Sequence, residues 1–147
     1  MAPNPFVNGE EGKEAILNVG DPKSETNWAV FGYTPDNKKE VTFLKKGNGY
    51  LDAFRGMLTD TNLAYILYGV LESSDGDYST VKYMLVAWVG QKVKPLHRAR
   101  SAHHRVAIYQ YASELIPMHG ELQVRDPSLV DSLSNYLRSS LMTGIHL

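Results

Sequence analysis

The features that most constrain the fold are two apolar runs, residues 63–71 (LAYILYGVL) and 83–89 (YMLVAWV). Each is far shorter than the roughly 20 residues that a membrane-spanning helix requires. Their β-branched and aromatic residues favour strands, and strands that are apolar on both faces are typical of a sheet interior. The polar segment between the runs is centred on Asp75-Gly76, a common turn pair. We therefore predict that the two runs form an antiparallel pair at the centre of a sheet.

Further strands and helices are predicted on either side of this pair. Residues 28–33 and 40–46 predict two strands, and Thr34-Pro35-Asp36-Asn37 between them predicts a hairpin turn. Residues 121–125 predict a strand that follows a helical crossover and is therefore parallel to its neighbour. Helices are predicted at residues 10–19, 50–58, 101–116 and 127–138, with Ser101 as the N-cap of the third. In the first of them, Ala15, Ile16 and Val19 share one face, which we expect to point inward.

These elements predict a single domain of the α/β (α+β) class. We expect a mixed sheet of five to six strands covered by helices on both faces, with a core at about residues 8–138, a loose N-terminus at residues 1–7 and a tail at 139–147. The apolar stripe of the third helix is predicted to consist of Ala102, Val106, Tyr109, Ala112 and Ile116. A chain of 147 residues can bury enough surface to need no metal or disulfide.

The composition excludes several classes of protein. The chain has no cysteine, which removes disulfide scaffolds, thiol nucleophiles and cysteine-based zinc sites. Its first residues have neither the basic nor the apolar region of a signal peptide, and no apolar segment predicts a transmembrane helix. We therefore expect a soluble, cytoplasmic and monomeric protein.

The charge distribution indicates a binding surface. The net charge is −1, yet the stretch 78–113 contains no acidic residue. Its six basic residues are Lys82, Lys92, Lys94, Arg98, Arg100 and Arg105, and His97, His103 and His104 lie among them. One sign of charge on a contiguous stretch creates a local positive field, which favours an acidic partner. A merely solvated basic face is the alternative interpretation.

The sequence carries no enzyme signature and no cofactor motif. His103 and His104 diverge by about 100° on a helix and have no nearby carboxylate, which disfavours a metal site with His97 or His119. Lys46-Gly47-Asn48-Gly49 lacks the spacing of a phosphate-binding loop and predicts a turn. No serine stands in a nucleophile-elbow motif, and no carboxylate pair is evident.

The segment KYMLVAWVGQKVKPLHRAR resembles the corresponding part of the actin-depolymerising-factor homology (ADF-H) family. It is most similar to the coactosin-like subgroup, whose pattern is a basic residue, an apolar strand with tryptophan, then glycine, valine and Leu-x-Arg-Ala-basic. In this chain those positions are Lys82, Trp88, Gly90, Val93, Leu96, Arg98, Ala99 and Arg100. NWAVFGY and the order of elements also fit, so the resemblance covers roughly residues 26–138.

The resemblance implies the cofilin-like fold of the ADF-H family. It also implies a cytoskeletal protein that binds actin, with filaments preferred over monomers. It places Lys82 at a filament-contacting position, Arg98 and Arg100 at the approach to the long helix, and Arg138 in the last helix. Together with the rest of the basic stretch, the candidate actin-binding residues are Lys82, Lys92, Lys94, Arg98, Arg100, Arg105 and Arg138. We expect these cations to share one exposed surface.

Other functions remain open at the level of sequence. Within the family, the chain could be a cofilin-like severing factor or a drebrin-like actin-binding module. Its N-terminal segment MAPNPFV differs from the short, serine-bearing N-terminus of the severing proteins. Outside the family, the same basic patch could bind phosphoinositides or nucleic acid. The pI of about 6.5 and the lack of stacking aromatics argue against nucleic acid.

Overall fold

The computed structural model describes residues 2–49, 55–73 and 79–125. Its framework is a five-stranded sheet with the order β2-β1-β3-β4-β5. The strands are β1 (Trp28–Thr34), β2 (Asn37–Gly47), β3 (Leu63–Ser73), β4 (Ser79–Val89) and β5 (Met118–Val124). The α-helices are α1 (Gly9–Gly20) and α2 (Pro95–Leu115), and a 3-10 turn spans Arg55–Met57. Neighbouring strands are antiparallel, except that β4 and β5 are parallel.

The predicted central pair is confirmed. β3 and β4 are paired without interruption, from Leu63 opposite Val89 to Ser73 opposite Ser79. Both strands lie inside the sheet, and β4 is buried from Tyr83 to Val89. Since side chains alternate along a strand, this burial requires cover on both faces of the sheet.

The two faces carry separate apolar clusters. Tyr83, Leu85, Ala87 and Val89 point to the face that packs against α1 and α2. Met84, Val86 and Trp88 point to the opposite face, where Met57 and Leu58 contribute to the second cluster. There the Trp88 indole donates a 2.7 Å hydrogen bond to the Thr59 carbonyl, so its one polar atom is satisfied in the core.

Cover by helices is seen on one face of the sheet in the part of the chain that the structure describes. The predicted inward face of α1, formed by Ala15, Ile16 and Val19, is confirmed. Of the helix predicted at 50–58, the described part is the 3-10 turn. The helix predicted at 127–138 and the tail at 139–147 lie outside the described residues, as does Arg138.

The start of α2 differs from the prediction. The helix begins at Pro95 rather than at Ser101, because proline lacks an N–H and fits the first turn, where N–H groups have no intrahelical partner. Ser101 is buried in the helix, and its hydroxyl donates to the Arg98 carbonyl at 2.6 Å instead of capping. The sequence 95–100 therefore forms the first turns of a helix, and Arg98 and Arg100 occupy fixed helical positions.

The predicted inward stripe of α2 is also partly wrong. Ala102 and Val106 are exposed, whereas Ser101, Ile108, Tyr111 and Ala112 are the buried residues of the helix. Ser101 and Tyr111 carry polar atoms that an apolar pattern does not count, although both satisfy them by hydrogen bonds and can be buried.

The N-terminal segment is packed on the domain over residues 2–7, in contrast to the loose segment expected at residues 1–7. The Phe6 ring is buried and stacks on Phe31, with 4.5 Å between ring centroids. The Val7 N–H donates to the Val41 carbonyl at 3.0 Å. Burial of the Phe6 ring and the backbone hydrogen bond of Val7 both stabilise the packed segment.

We expect Gly90→Ala to destabilise the fold by about 1–3 kcal/mol, which is typical of overpacking. A Cβ at Gly90 would lie 2.2 Å from the Asp60 carbonyl oxygen, a backbone atom that cannot turn aside. Gly56→Ala is the matched control, because a Cβ there meets nothing within 4 Å. Urea unfolding measures both free energies. Equal stabilities of the two variants would contradict the close approach at Gly90.

Candidate functional site

The junction between β4 and α2 is held by backbone hydrogen bonds. The Gly90 N–H donates to the Asn62 carbonyl at 2.9 Å, and the Lys92 N–H donates to the Asp60 carbonyl at 2.8 Å. Val93 inserts its side chain into the first cluster and is buried. Lys92 and Lys94 on either side of it are exposed. Their ammonium groups are therefore carried on a backbone that is fixed to the sheet.

The exposed side of α2 presents an apolar line. Leu96 is 65% exposed and Val106 is 44% exposed, so these two large aliphatic side chains face solvent. Ala99 and His103 are exposed between them. The spacing of three, four and three residues puts these four on one side of the helix. We call Leu96, Ala99, His103 and Val106 the outer ridge.

Arg98 and Arg100 lie on opposite sides of the outer ridge. Residues two positions apart on a helix are rotated by about 200° around its axis, so the side chains of Arg98 and Arg100 diverge. Arg98 faces β5 and is half-buried, and its Nη2 donates to the Val93 carbonyl at 3.0 Å. Arg100 lies on the side of His97 and His104, where its charge adds to the burial that lowers the pKa values of both. One arginine therefore holds the junction, while the other belongs to the flank near β1 and β2.

Arg105 is neutralised within the domain. It forms an ion pair with Glu121 of β5, and both side chains are partly exposed. Among the described residues, Lys92, Lys94 and Arg100 form no ion pair. The positive field around the outer ridge therefore comes mainly from these three cations and Arg98.

Lys82 is remote from the outer ridge. It lies seven residues before the end of β4, which is about 23 Å of extended strand. By alternation its side chain shares the face of Met84 and Trp88, whereas α2 covers the face of Tyr83 and Leu85. The expectation of one shared basic surface is therefore wrong for Lys82, and it fails on α2 as well, where Arg98 and Arg100 point to different sides and Arg105 is paired with Glu121. Lys92, Lys94, Arg98 and Arg100 do lie together around the first turns of α2.

The exposed apolar residues were missed by the sequence analysis. Leu96 was used there only as a family position, and Val106 was assigned to the core. Their signal was the spacing of Leu96, Ala99, His103 and Val106, which repeats every three to four residues as an inward stripe also does. Periodicity shows that such residues share one side of a helix, but it does not show which side meets the sheet.

A network of hydrogen bonds links α2 to the sheet on the flank that carries Arg100 and His104. The Tyr65 hydroxyl donates to the Ser101 carbonyl at 2.9 Å and lies 2.8 Å from the Tyr33 hydroxyl. The Tyr33 hydroxyl lies 2.6 Å from His104 Nδ1. Burial raises the pKa of Tyr33 to about 12 and raises the pKa of Tyr65 as well, so both phenols keep their single proton.

Counting donors and acceptors gives the direction of each hydrogen bond in this network. Because a carbonyl oxygen can only accept, the Tyr65 hydroxyl donates to the Ser101 carbonyl and accepts from the Tyr33 hydroxyl. The Tyr33 hydroxyl thereby donates its single proton to Tyr65, so it must accept from His104 Nδ1. His104 is therefore held with a proton on Nδ1, and a further proton can bind only at Nε2.

The environment of the two half-buried histidines opposes their charging. Burial is the main cause that lowers the pKa of His104, followed by the charges of His103 and Arg100, against a smaller opposite effect of Glu40. Burial also lowers the pKa of His97, with further contributions from Lys38, His104 and Arg100. Within the described residues, no group of three or more His, Cys, Asp or Glu side chains could hold a metal ion.

Comparison with known proteins identifies the family. Residues 6–134 match the model of the cofilin/tropomyosin-type actin-binding protein family. The chain belongs to this family.

Among the described residues, none of the helices combines the length and the hydropathy that a membrane-spanning segment needs.

Two relatives of this cofilin/tropomyosin-type chain have different lengths. Drebrin-like protein of Mus musculus is 28% identical over 104 residues, which cover 71% of this chain and 23% of the relative. The chain thus spans about a quarter of the drebrin-like protein. Coactosin of Dictyostelium discoideum is 25% identical over 104 residues, which cover 71% of this chain and 70% of the relative.

Solved structures show the same fold in other members of the family. Human coactosin-like protein superimposes with a TM-score of 0.75 at 18% identity, covering 92% of this chain and 96% of that one. Mouse coactosin, described as an actin filament binding protein, gives a TM-score of 0.67 at 18% identity and covers 94% and 93% of the two chains. The predicted cofilin-like fold is confirmed.

We expect the free energy of unfolding to fall as the pH is lowered from about 7.5 to about 5.5. The folded-state pKa values of His97 and His104 lie below the ordinary value, so the unfolded chain binds more protons in this window and acid favours it. His104→Asn keeps an N–H donor for Tyr33 and removes one titrating group, so its stability should depend less on pH. Denaturant unfolding at several pH values measures this dependence.

His103→Asn is the control for that measurement, because it removes an exposed imidazole from the same helix. If His104→Asn and the wild-type protein lose the same stability on acidification, the assignment to His104 is wrong.

Proposed function

We propose that this chain binds actin and docks on the side of actin filaments, regulating filament stability or the access of other factors without strong severing. Membership of the family supports actin as the partner. The observation that supports the docking surface is Leu96, a leucine with 65% of its surface exposed on α2, a helix whose other side packs on the sheet.

The outer ridge and the cations around it have the composition of a protein interface. Interfaces combine an apolar centre, which supplies most of the binding energy, with a polar rim that stays in contact with water. Leu96, Ala99 and Val106 supply the apolar centre. Lys92, Lys94 and Arg100 supply a cationic rim that attracts an acidic partner. Raising the salt concentration should therefore weaken docking, since exposed charges are screened within about 10 Å.

The position of Lys82 favours a filament over a monomer. Lys82 and the outer ridge lie at opposite ends of β4 and on opposite faces of the sheet. One small patch of a partner cannot contact both, whereas a filament presents two neighbouring subunits to a ligand on its side. We propose that the outer ridge contacts one subunit and Lys82 contacts the next, and Arg138 stays a candidate for that second contact.

We propose no catalytic role and no cofactor, and we place the protein in the cytoplasm on the actin cytoskeleton as a monomer. A cofilin-like severing factor and a drebrin-like module remain the alternatives within the family. A pyrene-actin dilution assay separates them, since severing accelerates depolymerisation.

Leu96→Ala should weaken co-sedimentation with actin filaments by roughly tenfold or more, as expected for an apolar anchor at an interface centre. Leu17→Ala on α1 is the matched control, because Leu17 is 42% exposed but lies on another helix. Both variants remove exposed methyl groups and should keep the wild-type circular dichroism spectrum. Equal pelleting of the two variants would show that the outer ridge does not face the filament.

Lys82→Ala should weaken filament binding and leave the affinity for monomeric actin unchanged, because only a filament offers the second subunit. Lys23→Ala removes an exposed lysine elsewhere and serves as the control. Co-sedimentation at two salt concentrations and monomer binding by fluorescence measure the two affinities. Wild-type pelleting of Lys82→Ala, or an equal loss for monomers, would overturn the two-subunit proposal.

Arg98→Ala is a less selective test of docking. Arg98 Nη2 donates to the Val93 carbonyl, so its removal also disturbs the junction that presents the outer ridge. We therefore expect Arg98→Ala to lower both the stability and filament binding, whereas Lys94→Ala should lower filament binding alone.

A further inference from the structure

A cavity of about 290 Å³ lies between α2 and the strands β4 and β5. The helix contributes residues 98, 102 and 105, which follow one another at three to four residues and so share a side. β5 and the residue after it contribute Gln123 and Arg125, two positions apart and therefore on the same face. The cavity lies on the flank of α2 away from Arg100.

Small side chains create this cavity. Ala87 of β4 and Ala99 and Ala102 of α2 line it, at positions where leucine or phenylalanine would fill the space. Ala102 was predicted to be buried and is exposed, because the side of the helix on which it lies opens into this gap. The gap is therefore encoded by particular residues of both elements.

The walls of the cavity are strongly cationic. Arg98, Arg105 and Arg125 line it, and no acidic residue does so among the described residues. Glu121 offsets the charge of Arg105. This leaves two guanidinium charges, of Arg98 and Arg125, without a carboxylate in the described part of the chain.

Arg98 also has an unmatched donor. Its Nε is buried and has no hydrogen-bond partner among the described residues, although its Nη2 is used by the Val93 carbonyl. Buried polar groups are nearly always hydrogen-bonded, and each exception requires an explanation. A guanidinium group matches two oxygens of one anion in a bidentate arrangement, and Arg98 is among the residues that line the cavity.

We propose that this cavity binds a small phosphate monoester in solution. Two positive charges without a carboxylate partner among the described residues match the charge of a phosphate monoester, which is about −1.5 to −2 near neutral pH. The alanine walls leave room for a compact organic group beside the phosphate. The site shares only Ala99 with the outer ridge, and it does not depend on whether the chain binds actin.

Titration of the full chain with inorganic phosphate at constant ionic strength tests the proposal, followed by ¹H–¹⁵N correlation NMR. Saturable shifts should be confined to the amides of residues 98–105 and 123–125 and to the Nε–H of Arg98. Equal amounts of charge added as chloride should not produce them. Shifts that do not saturate, or that are as large at Lys45 and Lys46 as at the cavity, would overturn the proposal.

Two variants separate the cavity from general electrostatics. Ala102→Leu fills the gap without changing the charge and should abolish the saturable shifts, whereas Val106→Leu on the outer ridge should not. Arg125→Ala should weaken phosphate binding roughly tenfold, as expected for the loss of one charged hydrogen bond, and Lys13→Ala on α1 should leave it unchanged. Wild-type phosphate binding by Ala102→Leu, with its NMR dispersion intact, would refute the site.

A third measurement distinguishes a free ligand from a lipid headgroup. Glycerol 3-phosphate in solution should compete with inorganic phosphate for the same amides. Co-sedimentation with phosphatidylcholine vesicles containing a phosphoinositide provides the other arm. Binding to those vesicles without any competition by glycerol 3-phosphate would overturn the proposal of a soluble ligand.

Discussion

The uninterrupted pairing of β3 with β4 is the constraint on which the rest of the structure depends. Because β4 is buried on both faces, its side chains fix which residues meet α1 and α2 and which meet the second cluster. The strand ends at Val89 and is followed by Gly90, which lies too close to the Asp60 carbonyl for any side chain. The direction in which the chain leaves the sheet is therefore determined, and with it the position of Pro95 and the first turn of α2.

Helix and strand geometry divide one basic stretch of sequence into separate surfaces. On α2 a separation of two residues turns Arg98 toward β5 and Arg100 toward β1 and β2. On β4 alternation turns Lys82 to the face that α2 does not cover. The ion pair with Glu121 neutralises the charge of Arg105. The remaining cations surround an apolar ridge on one side and a cavity on the other, so similar residues have different roles according to their neighbours.

Much of the fold was predictable from local patterns. The apolar runs of β3 and β4, the hairpin of β1 and β2 and the inward face of α1 follow from period and turn chemistry, and the parallel β5 follows from a helical crossover. The start of α2 was missed because Ser101 suits an N-cap and Pro95 equally suits a first helical turn. For the candidate site, the basic residues were predicted, whereas the outer ridge and the cavity were not, because both depend on which side of α2 meets the sheet.

The sequence by itself determined the order of the five strands with α1 and α2, the central buried pair, the cationic character of the stretch 78–113 and the resemblance to the family. Those properties reside in neighbouring residues, where backbone geometry and hydropathy act directly. The tertiary structure decided that Lys82 stands apart, that Leu96 is exposed, that Phe6 is docked and that three arginines surround one gap. These outcomes arise when elements distant in sequence pack together, and the energy of that packing is not contained in any single segment.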